Sequence, residues 1–426
     1  MARTRTMSLP RPGVMVRLTG GVLIAASLAG VLWLAIVAVA AGPPVAFGAA
    51  ALAVCLLVGG SAAVVRVARA AEGLTGMVAA GTATAVFAGL LGAMVMEQPS
   101  PLTGVSALAD LRFGNQPVPV LVVPGRPGWN LVHVDATNAA VGLDVYHMTP
   151  AGPRPGTTGV WALVKLPPGN ATVLVLHGGA SAAIQLRTGQ DVTPEPALTG
   201  SDGPECASAV LGALIAGQET PLRRCPSQEL SPADSAALRG MIGFIAARGM
   251  RHVTLVSDTS PRSLLAAKVV RTVCEAHHIA VGTPRDHPGG PVVIVSGWAG
   301  ADSALNQVAE GQLPSEGTYL GPWLLDEPLL EYPAGQLLPL GFDLQDHAAF
   351  SYLETLNRRF PGEVPTEAGY LGWLTSKGTA RSALTGRAEL YAASTVYFPG
   401  ESGHAGPQYT WLPPGGISQV SGVLGS

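Results

Sequence analysis

The chain has 426 residues, 48% hydrophobic and only 12% charged, with a formal net charge of -3. A disordered chain would be polar and highly charged, and a nucleic-acid binder would carry a basic excess, so both classes are excluded. A membrane-associated, Ala/Gly/Val-rich protein of two or three domains fits.

The charge is unevenly spread. Between Leu18 and Met96 only Arg66, Arg69 and Glu72 are charged, and they leave three uncharged runs, Leu18–Ala41, Val45–Val65 and Leu74–Met96. Each meets the ~20 apolar residues that a helix needs to cross the hydrocarbon core, where no water serves the backbone. The sequence therefore predicts a three-helix transmembrane anchor over residues 1–97. Arg3, Arg5, Arg11 and Arg17 precede the first run, and Arg66 and Arg69 lie between the second and third. Basic residues stay cytoplasmic, which puts the N-terminus inside and everything after Glu97 outside. The first run also reads as a signal peptide with Ala38-Val39-Ala40 as its cleavage site, although it is long for one. Either way the rest of the chain is exported. Residues 97–426 carry 19 basic and 27 acidic residues, so the exported region is acidic and extracytoplasmic.

Residues 98–195 form a β-rich section. Trp129–Val134, Val141–His147, Val160–Leu166, Ala171–His177 and Ala183–Arg187 read as short strands separated by Gly/Pro turns, as in a small sandwich. Its expected role is that of a spacer or docking module above the membrane. Its histidines His133, His147 and His177, with Met148, would bind copper if they converged; otherwise they are surface or hydrogen-bonded core histidines. His177-Gly178-Gly179 has the look of a lipase oxyanion loop, but the Gly-x-Ser-x-Gly nucleophile elbow is missing. The chain reads as non-enzymatic.

Residues 196–426 form an α/β section. Glu205–Ala216 reads as a helix. Cys206 and Cys225 flank a short stretch in an oxidising compartment and are expected to form a disulfide; Cys274 falls in a helical pattern and reads as a buried thiol. Ser231-Pro232 starts a helix that ends at Arg248-Gly249. Strand HVTLVS (His252–Ser257) follows, then a helix from Ser260-Pro261 to about His278. Further strands are Ile279–Gly282, Val292–Ser296, Gly317–Leu320 and Gln336–Phe342, with a helix over Ala301–Glu310. Near-continuous apolar strands alternating with helices imply a parallel sheet covered on both faces. Ligands of such sheets bind outside the strands' carboxyl ends. That rule selects Ser257, Asp258, Ser260, Ser296, Trp298 and Trp323 as candidate ligand-binding residues, with helix N-termini offering N–H donors. The alternative is that Asp258 and Ser260 only cap a helix and the two tryptophans only pack.

From Leu230 onward the order of features resembles the second half of type I periplasmic binding proteins, the branched-chain amino-acid receptor type. The matching features are HVTLVSD after Arg248-Gly249, VVIVSGWAGA before a helix, GTYLGPWLL, Phe360-Pro361-Gly362-Glu363 with Pro365-Thr366, a helix at Gly369-Tyr370, and a closing segment from Leu390 to Trp411-Leu412-Pro413-Pro414. The resemblance implies ligand recognition between two lobes. Only about 40 residues separate the β-rich section from Leu230, too few for a complete first lobe. The cleft is then open, shared with another chain, or absent.

These features predict a membrane-anchored extracytoplasmic binding or sensing module for a small molecule or a partner protein. The alternatives are a structural subunit of a membrane or cell-envelope complex and copper handling by the β-rich section. With no P-loop and no Gly-x-Gly-x-x-Gly after a strand, no cofactor and no resident metal are expected. Coupling to transport or signalling would need other membrane proteins as partners.

Overall fold

The computed structural model describes residues 103–192, 196–218, 224–284, 286, 290–333, 335–379, 387–395, 410–413 and 415–425. All belong to the second of two units, 101–426. The three apolar runs lie outside the described residues, among which no helix is long and apolar enough to cross a membrane.

The chain begins with eight strands: β1 (Ala107–Phe113), β2 (Gln116–Val123), β3 (Gly128–Val134), β4 (Ala140–Gly142), β5 (Met148–Pro150), β6 (Val160–Leu166), β7 (Gly169–His177) and β8 (Ala180–Gly189). They form two four-stranded sheets, β1-β2-β3-β6 and β5-β4-β7-β8, antiparallel throughout. Val120, Val122, Val132, Val173 and Val175 fill the space between them. Strand β7 alternates buried and part-exposed residues, as a strand with one wet face must. Strand β2 instead buries every residue from Val118 to Val123, because Leu121 and Val123 point the other way into a second core.

The sequence reads Val141–His147 as one strand, but the chain turns after Gly142. Asp144 Oδ1 accepts from the N–H groups of Tyr146 and His147 at 2.8 and 3.0 Å, a side-chain-built turn that competes with a ladder. The result is the short hairpin β4–β5.

The second core belongs to the α/β part. Among the described residues, eight α-helices and a seven-stranded sheet frame it: α1 (Pro196–Thr199), α2 (Gly203–Ile215), α3 (Pro232–Ala247), β9 (His252–Val256), α4 (Pro261–Ala276), β10 (Ala280–Gly282), β11 (Pro291–Ile294), α5 (Trp298–Ala309), β12 (Gly317–Leu320) and β13 (Gln336–Leu340) come first. Then come α6 (Glu327–Leu330, between β12 and β13), α7 (His347–Arg359), α8 (Glu367–Lys377), β14 (Glu389–Ser394) and β15 (Gly416–Val423). The sheet order is β10-β9-β11-β12-β13-β14-β15. The first five strands are parallel and the last two antiparallel. Val292, Val293 and Ile294 of β11 are all buried, as expected for a strand covered on both faces. The helix starts follow local chemistry: Ser231 Oγ accepts from Asp234 N at 3.0 Å before α3, and Thr366 Oγ1 from Gly369 N at 2.9 Å before α8.

The β-rich section is no free-standing spacer. Leu121, Val123, Leu131 and Trp161 of its β1-β2-β3-β6 sheet share one core with the α/β part. His133 is stacked between Trp161 (4.0 Å) and Phe360 (5.1 Å), and its Nδ1 lies 3.0 Å from Glu363 Oε2. The sandwich is therefore a packed layer on the sheet domain.

Candidate functional site

Strand β10 follows β9 in sequence and lies on one side of it; β11 lies on the other. The chain thus reverses direction across the sheet between β9 and β11, which opens a crevice at their carboxyl ends, where open α/β sheets place ligands. The segment after β9 runs Ser257 to Ser260, and the segment after β11 runs Val295 to Gly297.

Five of the six candidate residues meet here in two hydrogen-bonded sets, which the chain joins at Ser296–Gly297–Trp298. Asp258 Oδ1 accepts from Ser260 N at 2.9 Å and Ser260 Oγ at 2.7 Å. Asp258 Oδ2 reaches across the crevice to Gly297 N at 2.6 Å, at the N-terminus of α5. Trp323 Nε1 donates to Ser296 O at 2.8 Å, and Trp298 Nε1 to Trp323 O at 3.1 Å. Ser257 is exposed. Burial opposes the Asp258 charge, but the Ser260 and Gly297 donors outweigh it and hold the carboxyl below its usual range. Asp258 and Ser260 thus serve the start of α4, and both indoles are buried with their N–H groups engaged internally.

The space above the crevice is taken by the chain itself. Helix α2 brings its N-terminal residues there. Arg262 Nη1 and Nη2 donate to Glu205 Oε1 and Oε2 at 2.5 and 2.6 Å, with side chains only 4% and 1% exposed. The Arg262 guanidinium also lies 4.4 Å from the Trp323 ring centre, a cation–π contact. Burial works against the Arg262 charge, yet Glu205, Asp234 and Glu367 around it leave its pKa raised. Asp202, one residue before α2, lies against Gly297, where a Cβ would collide with Asp202 Oδ1. Burial, with the Glu205 and Asp258 charges and against Arg262, pushes the Asp202 carboxyl up to about 6. Asp202 Oδ1 and Ser296 Oγ are both buried without a hydrogen-bond partner.

The sandwich adds a second cover. Arg154 Nη1 donates to Gly200 O at 2.9 Å, just before α2. Gly156, at φ +67°, comes so close that a Cβ there would stand 3.1 Å from both Trp298 Cβ and Asp326 Oδ2. Asp326 is fully buried; burial first, then Glu363 and Glu327, drive its carboxyl well above the usual range, toward the neutral acid.

The expected Cys206–Cys225 disulfide is present, with Cα atoms 4.9 Å apart, and Cys274 is a buried thiol. The bond ties the first turn of α2 to the segment before α3, so it holds the part of α2 that covers the crevice. The histidines have separate partners: His133 as above, His147 with Asp144 at 2.9 Å, and His177 with Asn138 O at 2.7 Å. Among the described residues no three His, Cys, Asp or Glu side chains form a metal-holding group.

The sequence reading missed Asp202, Glu205 and Arg262. Arg262 carried a faint signal: it is a cation in the first turn of α4, where a helix dipole disfavours positive charge. A partnering carboxylate elsewhere would have explained it.

A scan of protein-family models gives no match, and a search of curated proteins gives none. Several solved structures show partial likeness. An ABC transporter substrate-binding protein from Desulfitobacterium hafniense in complex with Leu is 17% identical, covering 36% of this chain and 51% of that one, with a TM-score of 0.25. An ABC transporter solute-binding protein from R. palustris in complex with benzoate is 10% identical over 34% and 46%, with a TM-score of 0.27. A branched-chain amino acid ABC transporter periplasmic ligand-binding protein from Burkholderia xenovorans is 12% identical over 51% and 74%, with a TM-score of 0.32. The chain spans about half the length of the first two.

Proposed function

We propose that this chain is a membrane-anchored, extracytoplasmic, non-catalytic recognition module whose ligand is a partner protein. The observation that carries the reading is the crevice between β9 and β11, closed by the Glu205–Arg262 pair and by the Asp258–Gly297 bridge. A small molecule entering there would have to displace a bidentate buried ion pair. Recognition then falls to the outer surface, and the anchor implied by the three apolar runs concentrates it at the membrane. The test is purification of the full chain from native membranes, beside a thermal-shift screen with amino acids and other small metabolites. The reading expects a stoichiometric co-purifying membrane protein and no metabolite shift.

A second reading, binding of a small polar molecule, is favoured by the two orphaned buried atoms. Asp202 Oδ1 and Ser296 Oγ would be satisfied by the ammonium or hydroxyl of a small ligand once α2 lifts. A metabolite-dependent thermal shift that disappears in Asp202→Asn and Ser296→Ala would establish this reading and displace the first.

A further inference from the structure

We infer that one end of the β-sandwich is a seat for an anionic lipid surface. The inference rests on the membrane-anchor reading proposed above. Strand register identifies the end: Gly128 pairs with Leu166 and Gly169 with Gly189, while Gly104 N donates to Arg187 O at 2.8 Å. The start of β3, the β6–β7 turn, the end of β8 and the first described residues therefore lie together. In sequence the third apolar run stops at Met96, seven residues before Thr103. A tether of that length reaches about 25 Å at most.

The side chains at this end suit a headgroup layer. Trp129 is 55% exposed and Val192 58% exposed, large apolar groups that water does not favour. Val192 Cγ1 packs beside Gly128, next to Trp129. Exposed Lys165 pairs in register with Trp129, and exposed Arg187, in the other sheet, pairs with Asn170 just after the β6–β7 turn. The exposed turn between these strands is Pro167-Pro168, with no N–H donors to bury. Beside Arg187, a groove of about 280 Å³ has Arg359, Leu108 and Leu214 in its walls. This end, with exposed Lys165 and Arg187 against Asp191, belongs to residues 97–426, which carry 27 acidic and 19 basic residues. An anionic surface would thus attract this end and repel the remainder, which orients the domain as well as binding it. Tryptophan enriches at the lipid–water boundary because its ring is apolar and its N–H is not. Trp129 and Val192 enter the headgroup layer while Lys165 and Arg187 meet lipid phosphates.

The test uses the full chain carrying Trp33→Phe, reconstituted in nanodiscs whose lipids carry bromine near the headgroup end of the acyl chains. Among the described residues the other tryptophans, Trp161, Trp298, Trp323, Trp373 and Trp411, are buried, so quenching by bromine reports Trp129. The expected result is a bromine-dependent loss of emission, larger with anionic lipid, removed by Trp129→Phe and reduced several-fold by Lys165→Glu with Arg187→Glu. A chain that incorporates but emits equally in brominated and ordinary discs overturns the seat and leaves the anchor reading standing. Failure to incorporate overturns both. Quenching that is absent, with Trp129 shielded only when a second protein co-purifies, assigns this end to a protein partner and also overturns the seat.

Discussion

Replacing Arg262 with methionine removes the cation that pairs with Glu205 while roughly keeping side-chain volume. Glu205 would remain in a site where it is 1% exposed, beside Asp234 and Glu367, whose carboxyls burial first and the Glu205 charge among others already push up. Removing one member of a buried ion pair typically costs about 3–5 kcal/mol, because the remaining charge is neither solvated nor paired. The lost cation–π contact with Trp323 falls within that range. With an unfolding entropy of about 2.1 cal/mol/K per residue, the 101–426 unit has roughly 0.7 kcal/mol/K, so a loss near 4 kcal/mol lowers Tm by about 6 °C. Urea and thermal unfolding of the detergent-solubilised chain, followed by circular dichroism, measure both quantities. Arg262→Met with Glu205→Leu should recover most of the loss, since an apolar pair of similar volume often matches a buried ion pair. An Arg262→Met protein within about 1 kcal/mol of wild type, or a double variant as unstable as the single, would refute the view that this pair fastens α2 over the crevice.

Asp202 has a folded-state pKa of about 6, above its usual 3.8, so the folded chain binds a proton more tightly than the unfolded one. Its contribution is therefore most favourable below pH 4 and is lost as pH rises through 6. Asp202→Asn should stabilise by about 1–2 kcal/mol at pH 7, after discounting for partial solvent access, with the advantage vanishing near pH 4; urea midpoints across that range decide it. Replacing Cys206 and Cys225 with serine releases a loop of 19 residues, expected to cost about 3 kcal/mol. Non-reducing against reducing unfolding curves check that value, and proteolysis should then cut first around α2. Gly156→Ala should cost about 1–2 kcal/mol, because a Cβ at positive φ is strained and Trp298 must give way; a variant as stable as wild type would mean that the sandwich loop does not rest on Trp298.

Much of the sheet was legible because burial on both faces leaves continuous apolar runs such as VVIVS and HVTLVS, whose carboxyl ends follow directly. Strands β1 and β2 were not identified, partly because Pro117 and Pro119 argue against a sheet interior. The structure resolves this: pairing with β3 covers only Val120–Val123, so the missing N–H groups lie beyond that ladder. The strand ends that border the crevice were legible in chain position, but its cover was not. Glu205 and Arg262 are 57 residues apart, and no local periodicity links them. Nothing in the sequence shows that Gly297 must leave room for Asp202, which only the packed structure reveals.

Hydrogen exchange of the full chain in bilayers tests the closed crevice most directly. The expected result is that the Gly297 amide and the amides of α2, Gly203–Ile215, exchange as slowly as those of β11, with and without a mixture of small metabolites. Exchange of α2 at the rate of exposed loops, or protection of Gly297 that rises on adding a small molecule, would contradict it.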